Sequence, residues 1–414
     1  MQPMSGAAAP AETAVPIGRG VPSDPTAPTS TAARTSLPAP AWTGERRFLA
    51  ACRRTAADAT PVWFMRQAGR ALAENRGMRE RYSILTLART PELNAQVSLL
   101  PVTAYGVDAA VMYADIMLPL EPMGVHFELD PQVGPIIEAP IRSAADVRRL
   151  RPTEPATDVA FVMDALRMVR RELDGHQAVI GFAGGLFTLA AYLIEGRPSR
   201  DYATAKAFMY VEPQAWHELL RRLGEMTLRY LRAQVQAGAQ ALQLFDSWAG
   251  VLAPADYRAF VLPHVQPIFE GLAELDVPTI HFATSSAGLL DALVEAGGDV
   301  ISIDHRQSLA DAWQRIGSDR GIQGNLDAAR LLAGWEATEA GARQVLAEAG
   351  GRPGHIFNLG HGVLPDTDPG VLRQLVEYIH VASARAEEVT EGLASARAND
   401  AASGGAGRPA EGAA

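Results

Sequence analysis

The sequence predicts a (β/α)8 barrel with an insertion after its second strand and disordered tails at both ends. Three observations carry this expectation. Eight short apolar runs alternate with helical patterns over about 340 residues, as a closed α/β barrel requires. No G-x-G-x-x-G follows the first run, which lowers the runner-up, a doubly wound open sheet; the glycines of GFAGG at 181–185 have the wrong spacing for a dinucleotide fingerprint. Nearly every run also ends on a polar residue, at the side where such barrels carry their chemistry.

In chain order, residues 1–42 are rich in Ala, Pro, Thr and Ser without a hydrophobic period, and read as a disordered tail. A transit peptide is the alternative, since acidic residues are few (Glu12, Asp24) and Arg19 and Arg34 are present, but no amphipathic pattern accompanies them. There is no basic start followed by an apolar core, as a secretory signal would have. The runs are PVWFM (61–65), DAAVMYA (108–114), AVIGFA (178–183), ALQLF (241–245), PTIHFA (278–283), DVISI (299–303), GIQGN (321–325) and HIFNLG (355–360), most of them bounded by Gly, Pro, Asp or Ser. Runs apolar on both faces suit the buried strands of a parallel sheet. Helical patterns follow at 211–236, 254–275, 287–296 and 369–384; in the first, Trp216, Leu219, Leu220, Leu223, Met226 and Tyr230 form one apolar stripe. GVHFEL and GPIIEA, within 116–177, read as an extra hairpin. The barrel occupies 43–386 as a single catalytic domain, and 387–414 form a second, Ala/Gly/Ser-rich tail.

Composition narrows the function. The 414 residues carry a formal charge of −10, with a pI near 5.5, which argues against a nucleic-acid partner. No apolar run reaches the ~18 residues of a membrane span. Cys52 is the single cysteine, so an internal disulfide and a Cys-based zinc cluster are both excluded; a reducing, cytoplasmic setting is expected. Lys206 is the only lysine, so an anion site must be built from Arg, His or backbone amides.

The strand ends offer such a site. The first run ends on Arg66, followed by Gln67-Ala68-Gly69 and Arg70; the second ends on Asp115, the third on Gly184 and Gly185, the fourth on Asp246 and Ser247. His281 and Thr284 flank the end of the fifth; Asp304 and His305 follow the sixth, Asn325 and Asp327 the seventh, His361 the eighth. Asp246, Ser285 and Asp327 are plausible helix caps. Arg66 and His361 are poor caps, and Asp115 is followed by IMLPL rather than a helix pattern, so these three are expected to face a pocket. Arg66 and Arg70 head a cluster with Arg76, Arg79, Arg81 and Arg89, opposed only by Glu74 and Glu80. The later arginines read as a solvated helix with i,i+4 pairs, whereas Arg66 and Arg70 form a rim able to clamp carboxylates bidentately. In AAVMYAD, Ala109, Val111, Tyr113 and Asp115 share a face. Asp115 then either pairs with Arg66 or supplies a counter-charge for the N–H donors of a ligand.

At this point six motifs resemble one family. PVWFMRQAGR, YADIMLPLEPMG, GFAGGLFTLAAYLIEG, LQLFDSWAG, IQGNLD and NLGHGVLPDT, in that order and spanning about residues 44 to 386, are similar to the uroporphyrinogen decarboxylases. The resemblance implies a distorted (β/α)8 barrel, usually a homodimer. It also implies removal of CO2 from the four acetates of uroporphyrinogen III to give coproporphyrinogen III in haem synthesis, with no cofactor and no metal. It carries substrate contacts onto Arg66, Gln67, Ala68, Gly69, Arg70, Asp115, Tyr192, Ser247 and His361. Its catalytic residue is Asp115, with Arg66 a clamp that can also act as proton donor. For Tyr192 a core aromatic is the alternative, and for Ser247 a helix cap. Departures from the family pattern are Leu186 where Pro is usual, Ala71 and Ala73 after RQAGR, and His305 where Trp is common. Two other readings share the pocket: a zinc- and cobamide-dependent methyltransferase, which needs a His-x-Cys motif where this chain has His281-Phe282-Ala283, and a non-catalytic tetrapyrrole carrier.

Overall fold

Seven of the eight apolar runs form strands of one parallel sheet. A computed structural model describes residues 42–69, 71–130 and 133–385. Arg70 and the greater part of both expected tails lie outside the described residues. The strands are β1 (Ala109–Val111), β2 (Phe127–Asp130), β3 (Gly134–Ile137), β4 (Ala178–Gly184), β5 (Ala241–Asp246), β6 (Thr279–Ala283), β7 (Val300–Ser302), β8 (Gly321–Leu326) and β9 (His355–Leu359). The sheet order is β1-β4-β5-β6-β7-β8-β9, and β2 and β3 pair antiparallel on their own. Helices connect successive sheet strands, as parallel pairing demands.

The first run departs from expectation. It is no regular strand: Val62 makes a single parallel bridge to Phe357. The reason lies in where its N–H groups go. Val62 N donates to Asp108 Oδ2 at 2.7 Å, Phe64 N to Gln67 Oε1 at 3.1 Å, and Met65 N to Asn358 Oδ1 at 3.1 Å. Side chains thus take the bonds a ladder would use. The run still ties both edges of the sheet. Phe357 N donates to Pro61 O (2.9 Å) and Trp63 N to Phe357 O (3.4 Å) on the β9 side, while Asp108 N donates to Val62 O (2.8 Å) beside β1. One segment touching both edges means that the sheet is curled.

Buried polar groups cross the inside of that curl. Trp63 Nε1 donates to Gln323 Oε1 (2.9 Å), and Gln323 Nε2 donates to Gln243 Oε1 (3.1 Å) and Ser302 Oγ (2.8 Å). The first run, β5, β7 and β8 are joined through side chains, so none of these buried donors is left unsatisfied.

The helical stripe at 211–236 is buried throughout. The helix itself begins at Pro213 (Pro213–Gln236), after a separate helix Ala203–Val211; proline suits a first helical turn but cannot continue a preceding one. The pattern at 254–275 likewise divides into Pro254–Phe260, Leu262–Leu272 and a short 3-10 turn. Among the described residues no helix is long and apolar enough to cross a membrane.

Candidate active site

Arg66, Asp115, Ser247 and His361 lie at strand ends and Tyr192 on a following helix, and the charge of Arg66 acts on Asp115, Tyr192 and His361. The Arg66 backbone turns out of the first run in the left-handed region, at φ 57°, an uncommon conformation for a side chain of this length. Its guanidinium is exposed and makes no hydrogen bond or ion pair with the described residues. Its charge nevertheless acts on Asp115, Tyr192 and His361 alike. Three groups from three distant stretches of sequence therefore lie within the electrostatic reach of one free cation.

Asp115 is half-buried just beyond β1. Burial pushes its carboxyl above the usual carboxylate range, while the N–H of Met117, 2.9 Å from Oδ1, and the charge of Arg66 oppose that rise. The Asp115–Arg66 salt bridge, one of the two sequence alternatives, is not formed. Asp115 also shapes its own loop: it closes an Asx turn onto Met117, its carbonyl accepts from Leu118 N, and a 3-10 turn without a side-chain cap follows at Leu118–Leu120. Oδ1 is engaged by this turn, and Oδ2 has no partner among the described residues.

The residues between Arg66 and Arg70 are buried scaffold more than lining. Gln67 is fully buried, with its amide bridging Phe64 N and Ala109 O (3.0 Å). The carbonyls of Ala68 and Gly69 accept from Asn75 Nδ2. The N–H groups of Ala68 and Gly69 make no hydrogen bond with the described residues, and two consecutive free amides suit an anion.

Tyr192 lies on the helix Leu186–Glu195 that follows β4. It is half-buried and packs against the hydrophobic core, whereas Leu193 and Ile194 beside it are 1 % exposed. Burial, then the negative charge of Asp115, raises its phenol above the ordinary value. Its ring centroid stands 4.1 Å from Trp248, which in turn stands 4.6 Å from Tyr202. Ser247 is half-buried at the end of β5. The cap alternative is not realised: the 3-10 turn that follows begins at Trp248 without a side-chain cap. His361 is half-buried, and burial together with Arg66, Arg306 and His305 lowers its pKa to about 4. It is a neutral imidazole near pH 7, able to donate one hydrogen bond.

Other strand-end groups serve structure. Asp246 is a cap, but of the helix after the neighbouring strand: it accepts from Phe187 N (3.3 Å), Thr188 N (2.9 Å) and Thr188 Oγ1 (2.7 Å). Thr188 Oγ1 in turn accepts from Trp248 N at 3.1 Å, tying Ser247 and Trp248 to the helix of Tyr192. Asp327 caps its own short helix through Ala329 N. Ser285 caps nothing; its N–H donates to Asp304. His281 does not join the site. It is fully buried, 5.0 Å from Phe269 and 3.3 Å from Leu293 O, both on helices that cover the sheet.

Sequence reasoning missed Trp248, Tyr202 and the reach of Asp246. Trp248 was adjacent to a predicted contact, but its stacking depends on how two helices dock. A cavity of about 1100 Å³ lies elsewhere: Ala71, Leu72, Arg76, Leu100, Pro365 and Arg373 line it, and none of the strand-end candidates does.

The family model described as uroporphyrinogen decarboxylase (URO-D) matches residues 43–382. The chain is similar to the uroporphyrinogen decarboxylase of Carboxydothermus hydrogenoformans, at 50 % identity over 341 residues, covering 82 % of this chain and 97 % of that one. It is similar also to that of Sorangium cellulosum, at 51 % over 334 residues, covering 81 % and 95 %. In structure it resembles a methyltransferase from Methanosarcina mazei with a TM-score of 0.68, at 17 % identity, over 82 % of this chain and 98 % of that one; this likeness shows a shared fold. The match over nearly all of the described residues, with half of the aligned positions identical, places this chain in the uroporphyrinogen decarboxylase family.

Proposed function

We propose that this chain decarboxylates the four acetate side chains of uroporphyrinogen III to give coproporphyrinogen III, with the pyrrole rings as their own electron sinks. The observation that carries the reading is a half-buried carboxylate, Asp115, that forms no ion pair with the free guanidinium of Arg66 whose charge acts on it, in a chain of this family. A proton adds to the ring carbon next to the one that bears the acetate, making an iminium-like cation conjugated to the acetate-bearing carbon. The bond to the carboxylate breaks, CO2 leaves, and its electron pair neutralises the cation. The exocyclic methylene then gains a proton as the ring carbon loses its own, so each turn exchanges CO2 for H+.

Positive charge develops on the ring in the first step. A carboxylate close to the pyrrole N–H groups stabilises that state more than the ground state, which is the role assigned to Asp115. Arg66 and Arg70 hold substrate carboxylates, together with the amides of Ala68 and Gly69; Gln67 fixes the turn that presents them. Arg66 is a reluctant acid, since a guanidinium holds its proton tightly, so the clamp is its main role. Tyr192, Ser247 and His361 orient the peripheral acids. Lys206, the only lysine, lies on the helix Ala203–Val211, so a Schiff-base route has no candidate at the strand ends.

On the same reading the first run is the eighth stave of a closed, distorted barrel. The β2–β3 hairpin belongs to an insertion after the second stave, residues 43–386 form one catalytic domain, and the enzyme works as a cytoplasmic homodimer. The test is anaerobic incubation with uroporphyrinogen III followed by chromatography of the oxidised porphyrins. Hepta- to tetracarboxylate products are expected. Unchanged uroporphyrin with the substrate bound would mark a carrier and reject the reading.

A further inference from the structure

The geometry points to Gly362 as the residue that positions Arg66, by leaving room for the Arg66 side chain to lie directly against its α-carbon. This deepens the reading of Arg66 as a substrate clamp and rests on it for its catalytic consequence.

A Cβ at Gly362 would lie 2.5 Å from Arg66 Cδ, 2.7 Å from Cγ and 3.0 Å from Cβ. Those are the inner and middle atoms of the side chain, so the whole guanidinium arm must swing for a methyl group to fit. The backbone on either side of that contact has little freedom to make room. Val363 N donates to Met65 O at 2.9 Å, which fixes the 361–363 segment against the residue before Arg66. Gln67 N donates to Phe64 O at 3.0 Å, and a Cβ on Gly69 would come 2.7 Å from Arg66 O, so the turn after Arg66 is held equally close. Arg66 itself sits at φ 57°, where its side chain leaves the backbone in an unusual direction. Gly362 is not needed for its own backbone, as its φ lies outside the positive range. What requires glycine is the packing of Arg66 upon it.

A free guanidinium on a long, flexible stem is a poor clamp, because immobilising it on binding costs entropy. Seating the stem in a groove with no side chain restricts it beforehand. The segment that supplies the groove also carries His361, so one loop would set both the cation and a neighbouring imidazole. Displacing Arg66 should therefore be felt at His361, whose titration the Arg66 charge depresses.

The experiment is a cycle of Gly362→Ala, Arg66→Ala and the double variant. Gly77→Ala serves as control, because a Cβ there meets nothing within 4 Å. Three readouts are taken: kcat/KM for uroporphyrinogen III, the NMR titration of His361 without substrate, and the thermal midpoint. Gly362→Ala is expected to lower kcat/KM by roughly 100-fold, as a misplaced clamp does, chiefly through KM. It should raise the His361 pKa and lower the midpoint. In the Arg66→Ala background the same substitution should change each readout little, since the side chain it displaces is gone. Equal effects of Gly362→Ala in both backgrounds would overturn the inference, as would a Gly362→Ala enzyme that behaves like the control. If Gly362→Ala alone does not fold, the double variant should; failure of both overturns it too. If the parent chain releases no CO2, the decarboxylase reading fails, while the titration and midpoint cycles still decide the role of Gly362.

Discussion

Asp115 and Arg66 lie near enough to influence one another and yet form no ion pair. An internal salt bridge would have satisfied both charges and left neither for a ligand. Instead Asp115 keeps one oxygen for Met117 N–H, and its carboxyl is raised by burial against the opposing pull of that N–H and of Arg66. A base that must be ionised loses activity as pH falls through its pKa. The acidic limb of kcat/KM should thus lie above the ordinary carboxylate value of 3.8. Arg66→Gln removes a stabilising charge and should move this limb to higher pH, besides lowering activity; a limb that stays in place or moves down would show that Arg66 does not act on Asp115. Much at this scale was legible in the sequence. Arg66, Asp115 and His361 stood out because their residue types are poor fits to a buried strand end. The Asx turn of Asp115 was not legible, since IMLPL carries no helical period and a 3-10 turn of three residues leaves none.

The helix Leu186–Glu195 shows how an element depends on its neighbours. Its N-terminal N–H groups meet no side chain of its own segment; Asp246 from β5 reaches across to accept from Phe187 N, Thr188 N and the Thr188 hydroxyl. A carboxylate is favoured at that end of a helix dipole. The approach is so close that a Cβ on Gly185 would come 2.3 Å from Asp246 Cβ. Asp246→Ala removes the cap and leaves buried donors unsatisfied, so a loss of about 2–4 kcal/mol in denaturant unfolding is expected. A loss below ~0.5 kcal/mol, the scale of a neutral surface change, would show that the contact is idle. Asp246 was legible as a cap but not as the cap of another strand's helix. That assignment needs the register of β4 against β5, which no local pattern encodes. The helix break near Val261 was not legible because the apolar pattern of 254–275 continues across it, whereas the helix expected from 211 starts only two residues later, at Pro213.

At the scale of the molecule, the alternation of apolar runs and helices predicted eight parallel strands in sequence order, because each parallel pairing needs a crossover, and seven of them form the sheet in that order. The first run was misread as a regular strand, since side chains from Asp108, Gln67 and Asn358 take its N–H groups and composition cannot reveal that. The same global packing sets a pH dependence. Burial lowers His264, His281, His355 and His361 from 6.5 to about 4 in the folded chain. Below 6.5 the unfolded chain binds more protons at these sites, so stability falls as pH drops toward 4. The raised carboxyls of Asp115 and Asp246 act in the opposite direction, and the four imidazoles outnumber them. The thermal midpoint should fall steadily between pH 6.5 and 4; a flat or rising midpoint would contradict the burial of these imidazoles. Catalysis is the more direct question, and the carboxylate of Asp115 is its centre. The decisive measurement is the steady-state turnover of uroporphyrinogen III by Asp115→Asn beside the parent chain. A loss of about 3–4 kcal/mol in kcat, roughly 100- to 1000-fold, with KM little changed is the expected result, because the charge acts mainly in the transition state. An Asp115→Asn enzyme that turns over at the parental rate would contradict it.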